Sequence, residues 1–214
     1  MDKLPLFPLN TVLFPKASIP LHVFEDRYKC MIKDCISTKT PFGVVLIRIG
    51  FEVGDSATPY DVGTTANIIN INRVDDGQLF LTAIGDKVFR INKLIEGKSF
   101  LEANVDFLMD DEDQDISENL IVELKDLMNN NFRLASGLKG EFVNDTNIPN
   151  DLVDLSYFVP SCLLGVENIG LQRLLEESST KKRLEKGVEL LKKNELLLKN
   201  LVSNRFNFGG FSRN

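Results

Sequence analysis

The sequence predicts an α+β protein, with a β-rich half through about Met109 followed by a helical half. Three observations carry that reading. Short apolar runs of strand length, punctuated by Pro and Gly, fill the first half. The acidic run Asp110-Asp111-Glu112-Asp113-Gln114-Asp115 then breaks the pattern with side chains that resist burial. Beyond it, apolar residues recur at helical spacing. The expected organisation is a β-rich part over 1–109, an acidic linker over 110–115, a helical bundle over 116–202 and a flexible tail over 203–214.

Leu4–Leu9 and Ile19–Phe24 are apolar runs interrupted by Pro5, Pro8 and Pro20. Proline cannot donate to a strand ladder, so both runs belong at strand edges or strand starts. Tyr28, Met31, Ile32, Cys35 and Ile36 then keep helical spacing, with Glu25 and Asp26 at the start, where the helix dipole favours negative charge. Phe42-Gly43-Val44-Val45-Leu46-Ile47 is unbroken and apolar, the mark of a central strand covered on both faces. Thr64–Val74 and Leu79–Ala83 meet at Asp75-Asp76-Gly77, whose Asp-Gly pair predicts a hairpin. Gly85 interrupts the pattern ahead of Val88–Ile91 and predicts a bulge or bend that lets a sheet curl. Phe100–Leu108 supplies the last strand.

In the second half, Asp115 and Glu118 have the spacing of a capping box ahead of Leu120, Leu124, Leu127 and Met128, which predicts a helix through about Leu134. Pro149, as a first-turn proline, and Asp151 open a second helix through Leu152, Leu155 and Phe158, which Pro160 bends or ends. Gly165 and Gly170 bracket a turn. The longest helix comes last, with Leu184, Val188, Leu191, Leu198 and Val202 in phase and Lys and Arg opposite. In the tail, Arg205, Phe206, Phe208, Phe211 and Arg213 are diluted by Gly, Asn and Ser. That composition predicts a frayed terminus, with stacking on single-stranded nucleic acid as the alternative.

A chain of 214 residues with 43% hydrophobic content can bury a core. Its net charge of -6 weighs against phosphate neutralisation as a main task. Met1-Asp2-Lys3-Leu4-Pro5 is not a basic segment leading into an apolar one. No run approaches the roughly 18 apolar residues of a membrane span. The expectation is a soluble, unexported protein of the cytoplasm, or of the plastid stroma in a plant or alga. Cys30, Cys35 and Cys162 are odd in number, and the first two fall in one predicted helix, which argues for free thiols in a reducing compartment.

Sequence signatures of catalysis are missing. Gly97-Lys98-Ser99 matches only the end of a phosphate-cradling loop, with Asn92 where the first Gly would stand. His22 is the sole histidine, in a Pro-rich strand, and a structural role is expected for it. Cys30 and Cys35 lie five apart and do not make a redox pair, and no Ser occupies a G-x-S-x-G turn. The chain is expected to be no enzyme and to need neither metal nor cofactor.

The segment from Leu4-Pro5-Leu6-Phe7-Pro8-Leu9 through Asn10-Thr11-Val12-Leu13-Phe14-Pro15, followed by Leu21-His22-Val23-Phe24-Glu25-Asp26-Arg27-Tyr28, resembles the opening of Lon protease N-terminal (substrate-binding) domains. The resemblance continues through Phe42–Ile47, Val62-Gly63-Thr64-Thr65-Ala66 and the Asp76-Gly77 turn, and returns at Gln172-Arg173-Leu174-Leu175-Glu176 and Arg183-Leu184. It implies a β-rich pseudobarrel, PUA-like in outline, joined to a helical bundle. It also implies a free-standing form of a domain that, in full-length Lon proteases, selects polypeptides for an ATPase and a peptidase. The implied function is a non-catalytic polypeptide-binding module, adaptor or chaperone-like, in protein quality control. Its partners would be unfolded or extended polypeptide and an ATP-dependent protease, without membrane or nucleic acid. An RNA-binding PUA-like module and a cryptic hydrolase are the alternatives.

Under that implication an open strand edge beside Phe14, Phe24, Tyr28 and Phe42 would meet the polypeptide, since such an edge can accept another chain as a strand. Pro15, Pro20, Glu25 and Arg27 are signature residues with structural roles. Glu25 and Arg27 would pair with each other or with backbone to pin the rim strands to the helix, and Tyr28 would pack inward if it does not join the peptide contact.

Overall fold

The structure is a computed structural model describing residues 2–54, 57–74, 77–95, 97–111, 115–139 and 147–208, with side chains described for all of these except 139 and 205–208. The strands are β1 (Asp2–Leu9), β2 (Ser18–Val23), β3 (Phe42–Ile49), β4 (Thr58–Arg73), β5 (Leu79–Ile95) and β6 (Glu102–Phe107). The helices are α1 (Asp26–Thr38), α2 (Glu118–Lys139), α3 (Leu152–Phe158), α4 (Asn168–Leu175) and α5 (Thr180–Phe208), with a 3-10 turn at Val159–Cys162. The chain divides into two units, Met1–Met109 with Asn168–Ser178, and Asp110–Glu167 with Ser179–Asn214.

In the first unit β1 pairs with β3 in parallel, and every other pairing is antiparallel. The pairings run from β5 through β4, β3, β1 and β6 and return to β5, while β2 pairs with β5 alone among the described residues. β3 is buried on both faces over Phe42–Ile47, as its unbroken apolar run predicts. The hairpin expected at Asp75-Asp76-Gly77 joins β4 to β5. Val74 N–H donates to the Gln78 carbonyl at 3.0 Å, and Gly77 has φ +76, a conformation glycine adopts freely. Asp75 and Asp76 lie outside the described residues.

The main core lies where α1 buries Tyr28, Met31, Ile32 and Cys35 against Ile19, Leu21 and Val23 of β2 and Leu81 and Ala83 of β5. The helical spacing of α1 meets the two-residue alternation of the strands, so one stripe faces one sheet face. A second cluster gathers Leu4, Leu6, Val45, Phe89, Ala103 and Val105.

Three residues of the Val62–Ala66 segment show why that sequence is needed. A Cβ on Gly63 would lie 2.4 Å from the Val44 carbonyl oxygen, 2.6 Å from Val45 Cγ1 and 2.9 Å from Phe89 Cζ. Thr64 Oγ1 donates to the buried Leu13 carbonyl at 2.6 Å, and Thr65 Oγ1 accepts from Lys87 N–H at 2.9 Å. Because backbone blocks one side of Gly63, Gly63→Ala is expected to cost about 2–3 kcal/mol. Urea unfolding checks this, and an unchanged midpoint would contradict the close approach.

Gly85 does not divide two strands. β5 is continuous through it, and the expected bulge is the register shift between Thr64↔Val88 and Ala66↔Gly85. A Cβ there would lie 2.3 Å from the Phe14 carbonyl oxygen. The bare backbone instead receives Lys16 N–H at 2.8 Å and donates to Ala17 O at 2.9 Å. The Phe14–Ala17 turn has Pro15 second and Lys16 third with φ 65, the pattern of a type II turn.

α4 corrects the turn expected between Gly165 and Gly170, because Gly170 lies inside a helix. Its residues group with the first unit, whereas the sequence reading placed them within the helical part at 116–202. Gln172 is buried and donates to the Val62 carbonyl on β4 at 3.0 Å, which seats α4 on the sheet.

In the second unit α2, α3, the 3-10 turn and α5 share a core of Leu124, Met128, Leu155, Val159, Leu184 and Leu191. Three boundaries differ from expectation. Ser117, not Asp115, precedes α2, its carbonyl accepting from Leu120 N–H at 3.1 Å, while Asp115 turns with φ 71. Asp151 caps α3 by accepting from Asp154 N–H at 2.9 Å, which leaves Pro149 ahead of the helix. α5 continues to Phe208, past Val202 where a tail was expected, and 209–214 lie outside the described residues.

A buried arginine organises this unit. Arg183 is 0% exposed; its Nε donates to Ser156 Oγ at 2.9 Å and its Nη2 to Thr180 Oγ1 at 2.9 Å, Nη1 pairs with Asp110, and the guanidinium lies 4.1 Å from the Tyr157 ring centroid. Asp110 also accepts from the Tyr157 hydroxyl at 3.1 Å. Asp110 is therefore a structural anchor and not part of a solvated linker; 112–114 of that expected linker lie outside the described residues.

Candidate functional site

β2 pairs with β5 on one side and has no partner on its outer edge among the described residues. Its alternation is strict: Ile19, Leu21 and Val23 point into the core, and Ser18, Pro20 and His22 point out. Pro20 removes one N–H donor, which suits an edge position.

The outward residues meet an aromatic cluster. His22 is register partner to Phe80 of β5, and the two rings stack at 4.3 Å with an interplanar angle of 3°. His22 Nε2 is hydrogen-bonded to Gln78 Oε1. Phe24, just past the strand, has its ring 5.4 Å from that of His22. Phe24 and Phe80 are 42% and 46% exposed, so both present apolar surface to solvent beside an open backbone edge.

Around the end of β2 a small cavity of about 70 Å³ is lined by His22, Phe24, Glu25, Tyr28, Glu52 and Val53, among others. His22 also lines an open groove of about 310 Å³ with Pro20, Phe80 and Asn72. His22 thus connects the two. Tyr28 forms the inner wall of the cavity. Its ring stacks on Phe7 at 4.2 Å, Arg27 lies over it at 4.6 Å, and burial holds its hydroxyl above the ordinary tyrosine pKa. Glu25 accepts from Gly54 N–H at 3.2 Å and pairs with Arg27 at 3.0 Å, tying the loop after β3 to the start of α1.

The four aromatics expected at a peptide contact separate. Phe24 is at the surface, whereas Phe42 (0% exposed), Phe14 (3%) and Tyr28 (5%) have their rings in the interior. Pro15 shapes the turn against Gly85 and Pro20 sits in the open edge, while Glu25 and Arg27 hold the loop contact just described. His22 and Phe80 were not singled out as ligand contacts from the sequence. The alternation was the available signal: with Ile19, Leu21 and Val23 inward, and Leu79, Leu81 and Ala83 on the buried side, His22 and Phe80 must face outward.

His22 is engaged with Phe80, Phe24 and Gln78. Burial pushes the Cys35 thiol up to about 11 and the Cys162 thiol up to about 12, so neither is a thiolate near neutral pH. Among the described residues no three His, Cys, Asp or Glu side chains gather as a metal site.

Residues 3–193 match the sequence profile of the ATP-dependent protease La (LON) substrate-binding domain. The chain belongs to that family. Lon protease 2 of Myxococcus xanthus is 31% identical over 206 residues, covering 92% of this chain but 24% of that protein. The Lon protease of Anaeromyxobacter dehalogenans is 28% identical over 204 residues, again 92% of this chain and 24% of its own length. This Lon-type chain therefore spans about a quarter of the curated relatives it matches. Among solved structures, the Lon N-terminal domain protein from Xanthomonas campestris superposes with a TM-score of 0.67 at 26% identity, covering 87% of this chain and 96% of that one. The N-terminal domain of Mycobacterium avium complex Lon protease gives 0.64 at 15% identity and supports the fold alone. This chain has the Lon N-terminal fold, with a mixed sheet and helices.

Proposed function

We propose that this chain is a non-catalytic polypeptide-binding module that holds extended or unfolded segments along the open edge of β2, beside Phe24, His22 and Phe80. The observation that carries the reading is the coincidence of an edge without a partner among the described residues, two exposed aromatic rings and the histidine stacked on Phe80. Main-chain groups of an edge supply affinity without regard to sequence, and exposed rings select apolar side chains. That is what a substrate-recognition module requires. The family supports it, since its description is a substrate-binding domain. The ring of pairings through β5, β4, β3, β1 and β6 supports reading the sheet as a PUA-like pseudobarrel whose closure leaves β2 outside it. On this reading the chain works as an adaptor or chaperone-like partner of an ATP-dependent protease, and its free thiols suit a cytoplasmic setting.

Titration with reduced, carboxymethylated α-lactalbumin against the native form tests this. The unfolded form is expected to bind and the native form not. Phe24→Ser with Phe80→Ser should weaken binding by roughly tenfold or more, as loss of aromatic anchors does. Equal, negligible binding to both forms, or full affinity in the double variant, would count against the proposal.

A further inference from the structure

β4 has a second open edge, distinct from that of β2. β3 accompanies β4 only as far as Phe42↔Ala66, whereas β5 stays paired with it to Arg73↔Leu79. The chain ahead of β3 leaves the line of the sheet where α1 ends, at Lys39 with φ 54. Among the described residues nothing pairs with the β3-facing side of β4 beyond Ala66.

A groove of about 520 Å³ runs there, lined by the five consecutive residues Asn67–Ile71 together with Ile36, Lys39 and Thr40. A strand face presents alternate residues, so consecutive ones mark a groove that follows the strand's edge. It continues, through the shared Ile36 and Ile71, into a groove of about 400 Å³ lined by Lys29, Lys33, Arg73 and Leu79. The lining mixes the apolar Ile36, Ile68, Ile69 and Ile71 with the amides of Asn67 and Asn70. The rim holds Lys33, Lys39 and Arg73, none ion-paired among the described residues, and Lys29, which pairs with Asp26 at 3.3 Å. Among the described residues neither lining includes an Asp or Glu, on a chain of net charge -6; Asp75 and Asp76, next to Val74 in the sequence, lie outside the described residues.

We propose that this groove receives an acidic, extended segment of a partner protein, added to β4 along Asn67–Arg73 as a further strand. The open edge supplies main-chain pairing, the isoleucines take alternate apolar side chains, and the cations at both ends select carboxylates between them. A strand of five to seven residues, roughly 17–23 Å, matches that edge. The segment differs in chemistry from the apolar chains expected at β2, so one module can hold a client at one edge and a partner at the other.

Fluorescence anisotropy with a ten-residue peptide alternating Glu and Val tests it, with alternating Lys and Val and a single-stranded RNA of similar length as comparisons. The acidic peptide should bind in preference to both and shift the amide resonances of Asn67–Arg73. Raising salt from about 0.05 to 0.5 M should weaken it several-fold or more. Lys33→Glu, Lys39→Glu and Arg73→Glu together, all at exposed positions, should abolish binding while the Phe24→Ser/Phe80→Ser protein retains it. Equal binding of the acidic and basic peptides, preference for RNA, or undiminished affinity after the charge reversals would overturn the proposal.

Discussion

Arg183→Ala is expected to destabilise the helical unit by about 3–5 kcal/mol, because it removes one member of a buried charge cluster and leaves the others unsatisfied. Arg183 is 0% exposed, and its guanidinium serves Asp110, Ser156 and Thr180 while lying over Tyr157. Its loss strands the Asp110 carboxylate beside the Tyr157 hydroxyl and opens a cavity the size of the side chain. Arg183→Lys should restore little, since an ammonium cannot reproduce a planar fork that meets three acceptors at once. Urea unfolding followed by circular dichroism at 222 nm reads the change. A loss under about 1 kcal/mol would place the cluster among ordinary surface ion pairs.

Phe42→Ala is expected to cost a similar amount, about 3–5 kcal/mol. Phe42 is 0% exposed within the main core, with Phe7 at 6.1 Å and Ala66 as its register partner. The substitution should leave the polypeptide affinity of the folded fraction unchanged. Phe24→Ser should do the opposite, changing stability by less than about 1 kcal/mol because the residue is at the surface, already 42% exposed. Stability and affinity measured on the same two variants separate core aromatics from surface ones. Loss of affinity in folded Phe42→Ala protein would show that the interior takes part in binding.

The sheet was legible because its signals are local. Prolines marked β2 as an edge, although the same signal in β1 falls on a strand that pairs with both β3 and β6; Asp-Gly marked the hairpin, and an unbroken apolar run marked β3. What the sequence hid depends on partners far along the chain. Phe14 looked available until Gly85 proved to leave room for its turn, and the acidic run looked unpackable until Asp110 found Arg183. α4 was hidden because Gly170 punctuates turns more often than helices, and its seat on β4 comes from Gln172 reaching Val62. At the candidate site Phe24 was singled out directly. Alternation places His22 and Phe80 outward, but that the two rings meet depends on the cross-strand register, which alternation within one strand does not supply.

Titrating isotopically labelled protein with an unfolded polypeptide, and following its backbone amides, tests the central claim most directly. The account predicts that the amides of Ser18, Leu21, His22, Val23 and Phe24 shift or broaden together with Phe80, before those of the helical unit. Binding that leaves β2 and Phe80 unperturbed would contradict it.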